Sequence, residues 1–298
     1  MLVDNMKDLP LSLLSVGTHD LALWDVKQVQ LVFSLSVGHF VDFAVISTVH
    51  KVVICGGADS GVITAVSLTG GSIEHTLSSE EYRGMLDVDV SVESVFTATP
   101  AGDVLIQSIT DGVMTGNLRD PDGPSVPTRL LVSGRREEEL VVGYRHGLVL
   151  VFDVDRQTVI CSLSGHSGQI NSLHLLHTGQ LISASEDHRA IIWNYKDQLE
   201  SADDVTGMSG MWAQPEPRGW DTTEVKCDVS CYTMDSAQRL IYAGFSSGDV
   251  HVWDVETGQC GWVMSCRYSS ETFTLVCCCT AAPLATPMLT YVGKQVIK

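Results

Sequence analysis

Three observations predict an all-β fold for this 298-residue chain. Short Val/Ile/Leu-rich runs recur between Gly, Asp and Ser clusters along its whole length. No long segment carries apolar residues at i, i+3, i+4 and i+7, the spacing an amphipathic helix needs. Apolar residues make up 44% and charged residues 18%, which supplies a core without the composition of a disordered chain.

The runs repeat as a unit. Leu11–Val16, a turn at Gly17–Asp20, Leu21–Val26 and Gln30–Leu35 form a first copy, partial at its front. The second follows Gly38-His39 with Lys51–Cys55, the turn Gly56–Asp59 and Gly61–Ser67. A third has Val95–Ala98, Gly102–Ser108 and the turn Asp111-Gly112. Leu140–Gly143, Gly147–Asp153 and Val159–Leu163 make a fourth. The fifth is the fullest: Gly165-His166, Leu181–Asp187 and Ile191–Asn194. Leu240–Gly244, Gly248–Val255 and a strand through Trp262-Val263 give a sixth. A seventh is expected from Thr272 to Ile297, incomplete because it stops before its closing aromatic.

Equivalent positions fall at Trp24, Val66, Gln107, Phe152, Trp193 and Trp253, spaced 42, 41, 45, 41 and 60 residues apart. A period near 40–45 with four strands per unit is the pattern of a β-propeller blade. The expectation is an all-β propeller of about seven four-stranded blades, the last incomplete, forming a single domain over residues 1–298. A small twisted sheet cannot bury both faces alone, and stacked neighbours bury them for it.

The chain resembles the WD40 family over essentially its whole length. The most specific residues are Gly165-His166 with Asp187 and Trp193, and the pair Trp253-Asp254. Trp24-Asp25 and Phe152-Asp153 add to them. The resemblance implies a buried hydrogen-bonded set of His, Ser/Thr, Asp and Trp. Only the fifth copy matches it fully, with His166, Ser183 or Ser185, Asp187 and Trp193. The second copy offers His39 and Asp59 without the Trp, and the third and fourth lack the Gly-His pair. His166, Ser183/Ser185 and Asp187 also have the residue types of a nucleophile–base–acid triad. No Gly-x-Ser-x-Gly elbow accompanies them, so the structural role is expected and no catalytic residue is assigned.

Composition narrows the function classes. With 18 Lys+Arg against 36 Asp+Glu, the net charge of −18 repels nucleic acid and anionic membrane surfaces. Arg135-Arg136 runs straight into Glu137–Glu139. The nine cysteines form an odd number, mostly within apolar runs, with no secretory leader before them. A reduced, cytoplasmic setting is expected. Cys227 and Cys231 lack a second pair for zinc, and no phosphate-binding glycine loop is present, so no metal or cofactor is expected. The carboxylate pairs Asp87/Asp89 and Asp203-Asp204, and the run Glu137–Glu139, are read as solvated turns or sheet faces. Pro283 and Pro287 break the uncharged stretch from Thr272 to Gly293, so stable membrane insertion is not expected.

The interval of 60 residues holds a loop insertion at about 197–224. Its Met208, Met211, Trp212 and Trp220 stand in an otherwise polar segment and are candidate partner-binding residues. The incomplete last blade offers a possible site of strand pairing with another chain. The function expected is a non-catalytic scaffold for protein–protein interaction within a larger cytosolic assembly. The alternatives are a propeller hydrolase with a central-channel site, or a peptide-reading module.

Overall fold

A computed structural model gives the fold and describes residues 2–3, 12–133, 139–176, 179–187, 190–193, 229–235, 237–245, 249–254 and 260–265. Among the described residues there are six antiparallel sheets, no α-helix and one 3-10 turn at Glu80–Tyr82. No helix of these residues is long and apolar enough to cross a membrane.

Each sheet is a meander in chain order. The first contains β1 (Leu2–Val3), β2 (Ser12–Val16), β3 (Asp20–Asp25) and β4 (Gln30–Ser36). The second contains β5 (Phe43–Ser47), β6 (Val52–Gly57), β7 (Val62–Ser67) and β8 (Ile73–Ser78). The third contains β9 (Asp87–Val90), β10 (Ser94–Ala98), β11 (Val104–Ser108) and β12 (Met114–Leu118). In the fourth are β13 (Pro127–Val132), β14 (Glu139–Tyr144), β15 (Val149–Asp153) and β16 (Thr158–Leu163). The fifth shows three strands, β17 (Ile170–Leu175), β18 (Leu181–Ser185) and β19 (Ala190–Trp193). The sixth has β20 (Val229–Met234), β21 (Leu240–Phe245), β22 (Asp249–Asp254) and β23 (Cys260–Ser265).

Strand register bears out the repeat alignment. The residue expected at the closing-aromatic position faces the head of the preceding strand in five of the sheets. Trp24 pairs with Leu13, Val66 with Val53, Gln107 with Val95, Trp193 with Leu181 and Trp253 with Ile241. A one-residue slip would turn each of these side chains to the other face, so the coincidence is a strong test of the alignment.

The chain divides into two compact units, residues 1–144 with 150–160, and residues 145–149 with 161–298. In the first unit the core is built between sheets. Leu14, Leu21 and Leu23 of the first sheet pack with Val53, Cys55, Val66 and Leu68 from the second. The opposite face of the second sheet, with Val52, Ile54, Ile63 and Ala65, packs with Tyr82, Met85, Val88, Val95 and Leu105. Strand β6 is therefore buried at every residue, which is why Val-Val-Ile-Cys reads as a continuous apolar run and not as an alternation. Each such side chain contributes about 1.5–3 kcal/mol through removal from water.

The hairpins after β3, β7, β11 and β15 share one backbone solution. The fifth residue past the closing position has positive φ: Val29 (54°), Gly71 (62°), Gly112 (69°) and Gln157 (54°). Glycine meets that demand without cost, and valine, branched at Cβ, is the poorest residue for it. The acid that follows the closing position caps this turn. Asp25 Oδ1 accepts the Lys27 and Gln28 N–H groups at 2.8 and 3.0 Å, and Asp153 Oδ1 accepts the Arg156 N–H at 2.8 Å. This accounts physically for an Asp after the aromatic: it satisfies turn amides.

Candidate functional site

The fifth sheet brings together all four residues of its expected polar set. Strands β18 and β19 place Ser183 and Trp193 on one face, and the turn after β18 returns Asp187 toward His166. The Trp193 indole N–H donates to Ser183 Oγ at 2.7 Å, and Ser183 Oγ lies 2.8 Å from His166 Nε2. His166 Nδ1 lies 2.9 Å from Asp187 Oδ2, which also accepts the Ser167 N–H at 3.0 Å. A consistent proton order runs through the set: Trp N–H to Ser oxygen, Ser O–H to Nε2, and Nδ1–H to the carboxylate. The His166 and Trp193 rings meet edge to face with centroids 6.3 Å apart.

Ser183, not Ser185, is the hydroxyl of the set. Ser185 Oγ donates to the Gly168 carbonyl at 2.8 Å and accepts the Asp187 N–H at 3.2 Å, holding the turn that positions the carboxylate. Ser183 and Ser185 are both 0% exposed. The connectivity Ser–His–Asp is that of an acyl-transfer triad, but a hydroxyl with no exposed surface and an indole N–H seated on its oxygen presents no nucleophile to a substrate. What the arrangement does is satisfy three buried polar groups inside a sheet.

In the second sheet the set is rewired. Cys55 occupies the position of Ser183, and its thiol points to the Thr64 carbonyl at 3.5 Å. Thr64, the cross-strand partner of Cys55, supplies the hydroxyl and sits 2.8 Å from His39 Nε2. His39 Nδ1 turns to the Phe40 carbonyl at 3.0 Å. Asp59 is exposed and has no bond to His39, so this His–Asp pair is not formed. The turn is served by Asp42 instead, whose carboxylate accepts the Ala58 N–H at 2.9 Å. Burial pushes the Cys55 thiol up to about 12, consistent with a small apolar filler in a core.

The first sheet keeps the Trp–Ser bond, Trp24 Nε1 to Ser15 Oγ at 3.1 Å, on a face where Trp24 is 39% exposed. In the third sheet Thr97 and Gln107 hold the Ser and Trp positions. Both are buried, and Thr97 Oγ1 and Gln107 Oε1 have no hydrogen-bond partner among the described residues. In the sixth, Trp253 and Asp254 close β22 as expected, and Asp254 is half-buried. Met208, Met211, Trp212, Trp220, the rest of the insertion at about 197–224, and the seventh copy all lie outside the described residues.

Two polar clusters are not legible as such in the sequence. Asp103 is buried beside β11 and accepts from Arg119 through Nε and through Nη2 at 2.8 Å, and from Asn117 at 3.1 Å. The alternation Asn-Leu-Arg, putting residues 117 and 119 on one face, is its only sequence signal. Asp87 and Asp89 on β9 correct the reading of a solvated face. Asp87 Oδ2 accepts the Leu130 N–H and Asp89 Oδ2 the Val132 N–H, both at 2.8 Å. Each carboxylate thus reaches the edge of the neighbouring sheet's first strand, β13, and loses water in doing so. Burial raises Asp87 despite Arg129, and pushes Asp89 up to about 6 despite its hydrogen bonds to Val132 and Val90.

No protein-family model matches the chain. It is 28% identical over 156 residues to the NACHT domain- and WD repeat-containing protein 1 of Mus musculus, and 28% over 154 residues to that of Homo sapiens. These matches cover 49% and 48% of this chain and 9% of each relative. The chain thus spans less than a tenth of the curated relatives it matches. In structure it is similar to the β-propeller domain of Cps50 (Swd1) from Myceliophteria thermophila. The TM-score is 0.69 at 14% identity, covering 91% of this chain and 87% of that one. The fold is a β-propeller.

Proposed function

We propose that this chain, a β-propeller built of WD40-like repeats, serves as a non-catalytic scaffold that docks other proteins within a larger cytosolic assembly. The observation that carries the reading is the burial of the fifth sheet's polar set. The residues with the chemistry of a triad are consumed in holding strands together. A propeller locked from inside leaves its turns and outer strands available for docking. The relatives support the same reading, since their name joins WD repeats to a NACHT domain in one long chain. The net charge of −18 favours protein partners over nucleic acid. Within the insertion, Trp212 and Trp220 are the proposed anchors, because large aromatics carry a disproportionate share of interface energy.

Quantitative affinity purification of the tagged protein tests this, comparing wild type with Trp212→Ala/Trp220→Ala after circular dichroism shows equal folding. A stable co-purifying set that is lost in the double variant is the expected result. Retention of that set moves the anchor away from the insertion. Absence of any stable partner overturns the scaffold reading.

A further inference from the structure

One face of the first sheet lacks the cover that its counterparts have. Leu13 and Trp24 are cross-strand partners, and the period of two continues their face to Val26, just past β3. These residues are 43, 39 and 40% exposed. Their equivalents are Val53, Val66 and Leu68 in the second sheet and Val95, Gln107 and Ile109 in the third, and none of those exceeds 2%. In the second sheet the face is covered by Leu14, Leu21 and Leu23 of the sheet before it. At the edge, Val29 is exposed where Gly71 and Gly112 lie directly against Phe33 and Leu77 of a preceding sheet. The first sheet thus holds open a face of the kind these repeats bury against another sheet.

Its polar groups are already matched. The Trp24 indole N–H donates to Ser15 Oγ at 3.1 Å, and the Ser15 hydroxyl donates to the Ala22 carbonyl at 3.2 Å. Covering Trp24 and Ser15 with apolar surface therefore orphans no donor, and the indole is held in place beforehand. Charge stands only at the two ends of the strand. Asp20 opens β3 on the same face, and Lys27 follows its end. Both are exposed, and neither makes an ion pair among the described residues.

We propose that two copies of this chain associate through this face, about a two-fold axis that sets their β3 strands antiparallel. The charges select the second copy and its orientation. Asp20 and Lys27 are equally far from the midpoint between Leu23 and Trp24. An axis across the strands at that midpoint lays the carboxylate of one copy opposite the ammonium of the other, at both ends of the interface. The two Trp24 rings then meet beside the axis, at the centre of the patch. An axis along the strands would set Asp20 against Asp20 instead. Two chains of net charge −18 repel each other over most of their surfaces, and this uncharged face with paired ends is where they can meet.

Sedimentation equilibrium of the full chain over a range of concentrations tests this. The samples are wild type, Trp24→Ala, Asp20→Lys, Lys27→Asp and the combined Asp20→Lys/Lys27→Asp, each first shown by circular dichroism to be folded. Wild type is expected to pass from monomer to dimer as concentration rises. Trp24→Ala weakens the dimer by about tenfold or more, as loss of a central aromatic anchor does. Each single charge change weakens it by about two- to tenfold, and the combined exchange, which keeps the pair with its signs reversed, restores it. A chain that is monomeric at every concentration overturns the proposal. So does a dimer indifferent to Trp24→Ala, or one that the combined exchange fails to restore. Iodide quenching of tryptophan fluorescence, taken as the difference between wild type and Trp24→Phe, reads the same face directly. Trp24 is expected to be accessible in the monomer and shielded in the dimer. Shielding already complete in the monomer assigns the cover to the chain's own residues and overturns the proposal.

Discussion

Removing the hydroxyl of Ser183 is the sharpest perturbation the structure offers. Ser183 is 0% and Trp193 1% exposed, and the hydroxyl serves both Trp193 Nε1 at 2.7 Å and His166 Nε2 at 2.8 Å. Ser183→Ala deletes one oxygen and orphans two partners. A buried polar group left unmatched costs about 1–3 kcal/mol, so with two partners orphaned the variant is expected to lose about 2–6 kcal/mol. That is a large share of the roughly 5–15 kcal/mol that holds a typical domain together. Volume contributes little to this figure, since Ser and Ala differ by one small atom.

The assay is urea unfolding followed by far-ultraviolet circular dichroism, with amide exchange at Leu181–Ser185 to place the loss in the fifth sheet. A double-mutant cycle with Trp193→Phe separates the indole bond from the rest. If the bond is formed, the double variant costs less than the two singles together, by about 1 kcal/mol. A loss below about 0.5 kcal/mol in Ser183→Ala would refute the reasoning, because the set would then not be what holds these strands. Native stability in Ser183→Ala with loss of a measured enzymatic activity would instead point to a triad.

Two further substitutions follow from the same repeat comparison. Val29→Gly relieves a left-handed backbone at an 83% exposed residue, where strain of about 1–2 kcal/mol is partly offset by the freedom glycine gains in the unfolded chain. A net gain of about 0.5–1 kcal/mol in chemical denaturation is expected, and a loss would show that the Val29 side chain makes a contact that matters. Thr97→Val keeps the shape of a buried side chain while removing a hydroxyl that has no partner among the described residues. Thermal unfolding is expected to rise by the equivalent of about 1 kcal/mol, the opposite sign to Ser183→Ala.

The contrast between Ser183 and Cys55 shows how far the sequence could be read. Spacing, turn residues and apolar runs follow from local backbone demands, so sheets and register were legible from them. Val66 and Gln107 were placed correctly as stand-ins for the aromatic because a period-two strand fixes which face a residue takes. Partner choice was not legible. His39 and Asp59 have nearly the same offsets as His166 and Asp187, yet one pair is bonded and the other is not. Once Cys55 offered no good acceptor, the hydroxyl came from Thr64 across the ladder, a position two residues before the closing one at which the pattern specifies no hydroxyl. Asp87 and Asp89 were hidden for a different reason. Their partners are backbone amides, and a backbone amide leaves no mark on the sequence 43 residues away.

The decay of the polar set from copy to copy then has a physical logic. A hydrogen bond stabilises a fold chiefly by sparing a buried group from being unmatched, so its value depends on burial. In the fifth sheet donor and acceptors are buried, and all four residues are present. In the second, Val53, Cys55, Val66 and Leu68 sit in one apolar cluster with the first sheet. Packing there holds what the Trp would hold, and only the His–hydroxyl contact persists. In the first, Trp24 is 39% exposed, and water can replace Ser15 as its partner at little cost. The residues that look most alike in the sequence, Trp24 and Trp193, are therefore the least alike in energy. Substitution at Ser15 should be nearly silent where Ser183 is not, because only one of the two indole N–H groups has nowhere else to go.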